Sequence, residues 1–141
     1  MENLIGLFEH ESPELSEMEC AIAAAIQNAV PACSICDLQP ELIEKLFRVW
    51  RVVPFICTSA YRSVEWDCAH GRSGTSSHCK GLAVDIACLN NRQRFHLVEA
   101  ALNAGFLRIG IAKNFIHLDC DSSKYLQRIW TYDDYNKERK G

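Results

Sequence analysis

The sequence predicts an α+β fold in which a small antiparallel sheet is flanked by helices. Helical and strand patterns occur along the chain without the regular alternation that characterises a parallel α/β sheet. The chain has 141 residues, which is long enough for one domain with a substantial buried core. We therefore expect a single domain over 1–141.

Two helices are predicted at the N-terminal side of this domain, over about 13–51. The segment Ser12–Glu14 is typical of a helix start, and apolar residues then follow at helical spacing to about Ala29. Pro40 begins the second helix, which carries one apolar stripe. The members of that stripe are Leu42, Ile43, Leu46, Phe47 and Trp50.

The predicted catalytic core follows over about 54–132. Strand character is found in FICTSAY, in LAVDIAC, in the hairpin FLRIGIA and FIHLDC, and in RIWTY. Residues 63–80 are polar and aperiodic apart from a short helix near Val64–Ala69. A loop of this length inside a compact domain is usually functional.

A third helix is predicted between the second strand and the hairpin. Asn90 caps it, Phe95, Val98 and Leu102 are expected to be buried, and Gly105 ends it. After the last strand, residues 133–141 have mixed charge, and we expect a solvated tail without a functional role.

Composition excludes several function classes. The net charge of −3 lacks the basic footprint of a nucleic-acid-binding protein. No stretch approaches the ~20 apolar residues of a membrane span, so stable membrane insertion is not expected. The N-terminus carries acids where a signal peptide needs basic residues, which predicts synthesis in the cytoplasm without a signal peptide.

The chain contains eight cysteines, which we expect to be reduced thiols. Cys33 and Cys36 have CxxC spacing, but no second pair follows that would complete a four-thiolate zinc site. Two loop or core thiols are the simpler interpretation. The cysteine content also leaves open an enzyme that uses Cys68 or Cys79 with a nearby histidine.

The segment TSSHCKGLAVDI raises the main chemical question. Asp85 lies in an otherwise apolar strand, where a carboxylate is costly to bury unless a positive charge compensates it. A metal ion held with His78 and His117 would do so, since two imidazoles and a carboxylate form a zinc set with a position left for water. An ion pair with Arg62 or Arg108 is the structural alternative, and composition leaves both open.

The motifs SAYRS, SSHCKGLAVDI, GIAKNFIHLD and RIW, taken together, resemble the zinc D-Ala-D-Ala carboxypeptidase family, peptidase family M15. The similarity is greatest to its small single-domain members among bacterial cell-wall peptidases and phage endolysins. It covers about 57–130, and three separated motifs occur in the family's order and spacing. The resemblance implies a fold like that of the D-Ala-D-Ala peptidases and hedgehog.

The resemblance also implies roles for individual residues. His78, Asp85 and His117 would bind zinc, one ion per chain. Arg62 would face the substrate carbonyl, where a guanidinium can stabilise an oxyanion. Ser76 would help to hold the substrate peptide, although a loop hydroxyl there can equally cap backbone groups.

The expected general base departs from the family pattern. Several members have Glu or Asp three residues before the last histidine, where this chain has Asn114. Asp119 points to the same strand face as His117, and we predict that it serves as the base. Orientation of a ligand histidine by the Asp119 carboxylate is the alternative.

The predicted function is zinc-dependent hydrolysis of a peptide bond in the peptidoglycan stem peptide, with zinc-bound water as nucleophile. The enzyme would be an endopeptidase or a carboxypeptidase, and we expect a monomer. It would act on the cell wall after phage-type release or as a virion component. A catalytically inactive zinc-containing wall-binding module and a cysteine-based enzyme are the alternatives.

Overall fold

The computed structural model describes residues 13–132, with side chains described from Glu17 onward. The predicted capping residue Ser12 and the predicted tail 133–141 lie outside the described residues. Within them, four α-helices and five strands alternate with two short 3₁₀ turns. The helices are α1 Pro13–Ala25, α2 Pro40–Trp50, α3 Val64–Ala69 and α4 Asn91–Asn103. The strands are β1 Cys57–Ser59, β2 Ala83–Ala87, β3 Arg108–Ile111, β4 Phe115–Asp119 and β5 Arg128–Thr131, and the turns are Ile35–Asp37 and Ser77–Lys80.

Both N-terminal helices form, and α1 is shorter than the prediction of about Ala29. It ends at Ala25 because the chain then tightens into a turn, in which the Ala29 N–H bonds to the Ile26 carbonyl. The Val30 N–H next bonds to Thr58 in β1, which draws the chain toward the sheet. No helix of the described residues has the length and apolar character needed to cross a bilayer.

The buried face of α4 differs from the prediction. Asn90 caps the helix as expected, with its side chain accepting from the Gln93 N–H. Phe95 and Leu102, however, are 64% and 52% exposed, and Val98 is only partly buried. The face that enters the core is instead lined by Leu97, Ala100, Ala101 and Ala104. Both stripes have helical spacing, and the one rich in small alanines is buried because it lets the helix approach its neighbours closely.

The strands form one sheet in the order β1-β2-β4-β3-β5. The α+β class is confirmed, and the pairs among β1 to β4 are antiparallel as predicted. The last pair corrects the prediction, because β5 runs parallel to β3 and makes the sheet mixed. Residues 120–127 carry the chain from β4 past β3 to this edge, so β5 has the direction of β3.

Strand alternation separates the two faces of the sheet. Apolar residues on one face join the core with the helices: Val84, Ile86, Ile109, Ile116 and Leu118. The other face carries a polar row that runs across the strands. Asp85 of β2 pairs with His117 of β4, and His117 pairs with Gly110 of β3. Ser59 lies opposite Asp85 at one end of the row, and Trp130 lies opposite Gly110 at the other. The polar positions of LAVDI and FIHLD thus share one face.

The 3₁₀ turn that carries His78 is held close to the turn at Ile35–Asp37. Gly81 ends it in the left-handed region at φ +71°, and a Cβ there would collide with the Asp37 carbonyl oxygen. The Gly81 carbonyl also accepts from the Gln39 N–H at 2.9 Å. This position requires glycine for its backbone angle and for space.

We expect Gly81→Ala to lower the free energy of unfolding by more than about 2 kcal/mol, because the left-handed angle alone costs roughly 1–2 kcal/mol. Gly71→Ala is the matched control, since Gly71 has φ +82° but a Cβ added there would have open space within 4 Å. Urea unfolding of both variants measures the difference. Equal losses would contradict a steric requirement at Gly81.

Candidate metal centre

Three side chains from separate elements converge on the polar face of the sheet. His78 comes from the 3₁₀ turn, Asp85 from the middle of β2 and His117 from the middle of β4. Each offers one ligand atom, and these atoms all lie within 4.8 Å of one another. Both histidines are buried, and the Asp85 side chain is 13% exposed.

Hydrogen bonds assign a role to each imidazole nitrogen. His78 Nδ1 lies 2.7 Å from the Ala60 carbonyl oxygen, to which it can only donate, so Nε2 is the nitrogen that can lose its proton and bind a metal. His117 Nε2 lies 2.7 Å from Asp119 Oδ2. The other nitrogens, His78 Nε2 and His117 Nδ1, lie 3.3 and 3.0 Å from Asp85 Oδ1. Metal-binding histidines in proteins commonly donate their second N–H to a carbonyl or carboxylate in this way.

The charges of the site depend on one another. Burial alone would raise the pKa of Asp85, but hydrogen bonds from His117 and His78 outweigh it and hold that pKa well below its usual range. Burial opposes the charged form of His117, yet the carboxylates of Asp119 and Asp85 raise its pKa. Protonation of His117 and binding of a cation would therefore compete for the negative charge of Asp85.

The arginine alternative for Asp85 is not what the structure shows. Arg62 Nε pairs with Asp67 at 2.8 Å, and Arg108 Nε pairs with Asp119 at 2.8 Å. Within the described residues, the ion-pair partners of Asp85 are the two histidines. None of the described arginines therefore supplies the positive charge that the Asp85 carboxylate needs.

The donor set fits zinc. Two imidazole nitrogens and one carboxylate oxygen, with second N–H groups already engaged, match a catalytic zinc site that keeps open positions. The same donors also occur in non-haem iron sites, so chemistry alone does not select the metal.

Arg62 lies beside this centre and is held by three contacts. Its Nε donates to Asp67, its Nη1 to Ser59 Oγ at 3.2 Å and its Nη2 to Ser76 Oγ at 3.2 Å. Ser59 is the residue opposite Asp85 in the sheet, so the guanidinium lies at the β1 end of the polar row. Its predicted contact with substrate stays a prediction.

Ser76 performs the capping role that sequence left as the alternative to substrate binding. Its Oγ accepts from the His78 backbone N–H at 3.1 Å and from Arg62. The hydroxyl therefore fixes the start of the turn that carries His78. A contact between Ser76 and substrate stays a prediction.

Asp119 is engaged on both carboxylate oxygens. Oδ2 contacts His117 Nε2, while Oδ1 accepts from Arg108 Nε and from the Asp121 N–H at 3.1 Å. Burial acts to raise its pKa, but the bonds from His117, Asp121 and Arg108 lower it below the usual range. This is the geometry of a residue that orients His117, and the base role stays a prediction. Asn114, at the family's expected acid position, is exposed in the β3–β4 turn.

Two buried acids that support the site were missed at the level of sequence. Asp67 in α3 is fully buried under Arg62. Asp121 is 2% exposed and accepts from Ser77 Oγ at 2.7 Å and from Lys80 Nζ at 3.1 Å, which ties the His78 turn to the segment after β4. The signal available in the sequence was an acid next to cysteine in WDC and in DCD.

The two thiols near the site, Cys68 and Cys79, have no imidazole partner among the described residues. Cys79 Sγ lies 3.4 Å from Asp67 Oδ2, and burial together with that hydrogen bond raises its pKa. Cys68 is exposed, and in the described part of the chain no hydrogen bond joins Cys68 or Cys79 to an imidazole. A thiolate mechanism lacks the paired base that it needs.

The fold and site together define a small α+β domain with a His-Asp-His group on the polar face of its sheet that could hold a metal ion. The family model of Peptidase M15 matches residues 13–119, which is more than half of the chain. The chain therefore belongs to the M15 peptidase family, as its motifs indicated. No curated protein matches the chain. Because the family is zinc-dependent in general, zinc is the metal that this donor set is expected to hold.

We expect His117→Ala to abolish stoichiometric zinc binding, because it removes one of three ligands and leaves Asp85 without its nearest partner. Zinc content after dialysis, measured by mass spectrometry, tests this. His96→Ala is the matched control, since His96 is exposed on α4. Full zinc occupancy in His117→Ala would refute the ligand assignment.

Proposed function

We propose that this protein is a zinc-dependent peptidase that hydrolyses a peptide bond in the stem peptide of peptidoglycan, as an endopeptidase or a D-Ala-D-Ala carboxypeptidase. The observation that carries the proposal is the convergence of His78, Asp85 and His117 in a member of a zinc-dependent peptidase family. The substrate class follows from the resemblance of the motifs to cell-wall peptidases.

The chain's own residues prepare the centre for this reaction. When bound, zinc supplies a Lewis acid that polarises an amide carbonyl and makes hydroxide available near neutral pH. The Ala60 carbonyl and Asp119 fix the two ring orientations, so little reorganisation is needed on metal binding. Asp85 adds negative charge that favours a dication at this position.

Arg62 supplies positive charge at the β1 end of the polar row. Three of its five N–H groups are used by Asp67, Ser59 and Ser76, which leaves two donors for a substrate oxygen. A guanidinium fixed by its own neighbours can stabilise developing negative charge without moving. We propose that the amide carbonyl of the substrate lies between Arg62 and the metal ligands.

Proton transfer involves Asp119 in one of two ways. As a base it would take a proton from the attacking water and deliver it to the leaving amine. As a positioning residue it would keep His117 oriented and electron-rich while another group moves the proton. Its bonds to His117 and Arg108 support the second role, and substitution distinguishes the two.

We further propose that the protein acts as a monomer on the cell wall, after phage-type release from the cytoplasm or as a virion component. A zinc-containing wall-binding module without catalysis is the second candidate. It is favoured by one observation, the exposed Asn114 at the position where family members carry an acid.

Purified peptidoglycan incubated with the zinc-loaded protein is expected to release soluble peptides or D-alanine, because the proposed peptidase would cut the stem peptide. Mass spectrometry of the soluble fraction identifies the bond that is cut. A zinc chelator should abolish release, whereas a thiol-alkylating reagent should leave it. Binding to walls without release would favour the wall-binding module, and release that alkylation alone stops would favour a thiol enzyme.

Asp119→Asn is expected to lower turnover by about 10- to 100-fold while zinc is retained, which is the usual range for loss of a partner to a ligand. The removed charge should also lower the pKa of His117, since Asp119 raises it, and extend zinc binding to lower pH. Zinc titrations and rates between pH 5 and 8 check both effects. Loss of all turnover at every pH, with zinc binding unchanged, would instead support Asp119 as the base.

A further inference from the structure

The polar row has a gap at Gly110 that two aromatic side chains fill. Gly110 pairs with His117 on one side and with Trp130 on the other. A Cβ at Gly110 would come within 2.9 Å of Trp130 Cε2 and Nε1 and within 2.7 Å of Tyr132 Cε1. Both rings therefore lie over Gly110, which pairs with His117 in the sheet, and only glycine leaves room for them.

These rings are held in place before any substrate arrives. The Trp130 ring centroid lies 5.6 Å from that of His117, and the Arg108 guanidinium lies over the indole at 4.8 Å. The Tyr132 ring meets the Phe115 ring edge-on at 5.3 Å, and its backbone N–H donates to Ile111 at 3.0 Å. Tyr132 is thus fixed by its backbone and by its ring.

The hydroxyl of Tyr132 stays protonated and has a proton to donate. Burial raises the pKa of Tyr132 to about 12, the charge of Asp85 adds to the rise, and a hydrogen bond from Trp130 opposes it. A neutral phenol keeps its O–H proton and can donate it in a hydrogen bond.

We propose that Tyr132 is a further catalytic residue, whose hydroxyl donates a hydrogen bond to the carbonyl oxygen of the amide that is cut. Arg62 lies at the β1 end of the row and Tyr132 at the β5 end, so a carbonyl near the metal ligands would have a donor on each side. A neutral, pre-oriented donor is most effective where negative charge develops during the reaction.

This assignment rests on the proposed peptidase function and adds a residue beyond the matched range 13–119. Sequence alone placed RIWTY as a strand and gave its tyrosine no role. In the structure, the ring of Tyr132 lies against Gly110, and Gly110 pairs with the metal-binding candidate His117.

The test compares Tyr132→Phe with Tyr125→Phe, which removes the hydroxyl of a tyrosine that is 80% exposed. The substrate is the set of soluble muropeptides obtained by glycosidase digestion of peptidoglycan. We expect Tyr132→Phe to lower kcat by about 100-fold, as for loss of one oxyanion donor, with KM changed less than about twofold. Zinc content should stay at one per chain, and Tyr125→Phe should match the wild type.

Rates are expressed per zinc-loaded site, so that partial unfolding does not imitate a catalytic effect. Wild-type kcat in zinc-loaded Tyr132→Phe would overturn the role of Tyr132 and leave the peptidase function standing. A Tyr132→Phe variant that no longer folds or binds zinc would assign the hydroxyl to the structure and also overturn the proposal. A wild-type protein that cuts no muropeptide would remove the proposed function, and the role of Tyr132 with it.

Discussion

A carboxylate placed between two imidazoles in the middle of a sheet is the interaction on which the rest of this structure depends. Asp85 Oδ1 lies 3.0 Å from His117 Nδ1 and 3.3 Å from His78 Nε2. A charge in this position is costly to desolvate unless opposite charge and hydrogen bonds surround it. The strands, the long loop and the 3₁₀ turn are all arranged so that they supply those partners.

Three further buried acids surround the candidate metal centre, and each one holds a different part of it in place. Asp67 holds the Arg62 guanidinium, Asp119 holds the His117 ring, and Asp121 holds the turn that carries His78. Each acid is itself neutralised, by Arg62, Arg108 and Lys80 respectively. The site is therefore rigid because its charges alternate in sign through a connected set of hydrogen bonds, and removal of one partner would leave a buried charge uncompensated.

Strand alternation made much of the candidate site predictable from sequence. Once LAVDI and FIHLD are assigned as strands, Asp85, His117 and Asp119 must leave the apolar face, and the glycine-containing loop returns His78 to them. Other features depend on contacts between distant parts of the chain, which the pattern of residues within one element does not reveal. The choice between two apolar stripes of α4 depends on how closely the helix packs, and the parallel pairing of β5 depends on the path of residues 120–127. The ion pair of Arg62 with Asp67 and the position of the Tyr132 ring over Gly110 also depend on tertiary structure.

X-ray absorption at the zinc edge tests the central claim most directly, because it identifies the atoms that hold the metal in a protein that also contains eight thiols. A zinc ion held by His78, Asp85 and His117 would show nitrogen and oxygen neighbours at about 2.0–2.2 Å, with the multiple scattering of two imidazoles, and no sulfur. A sulfur shell at about 2.3 Å would place the zinc on cysteines and contradict the assignment of His78, Asp85 and His117.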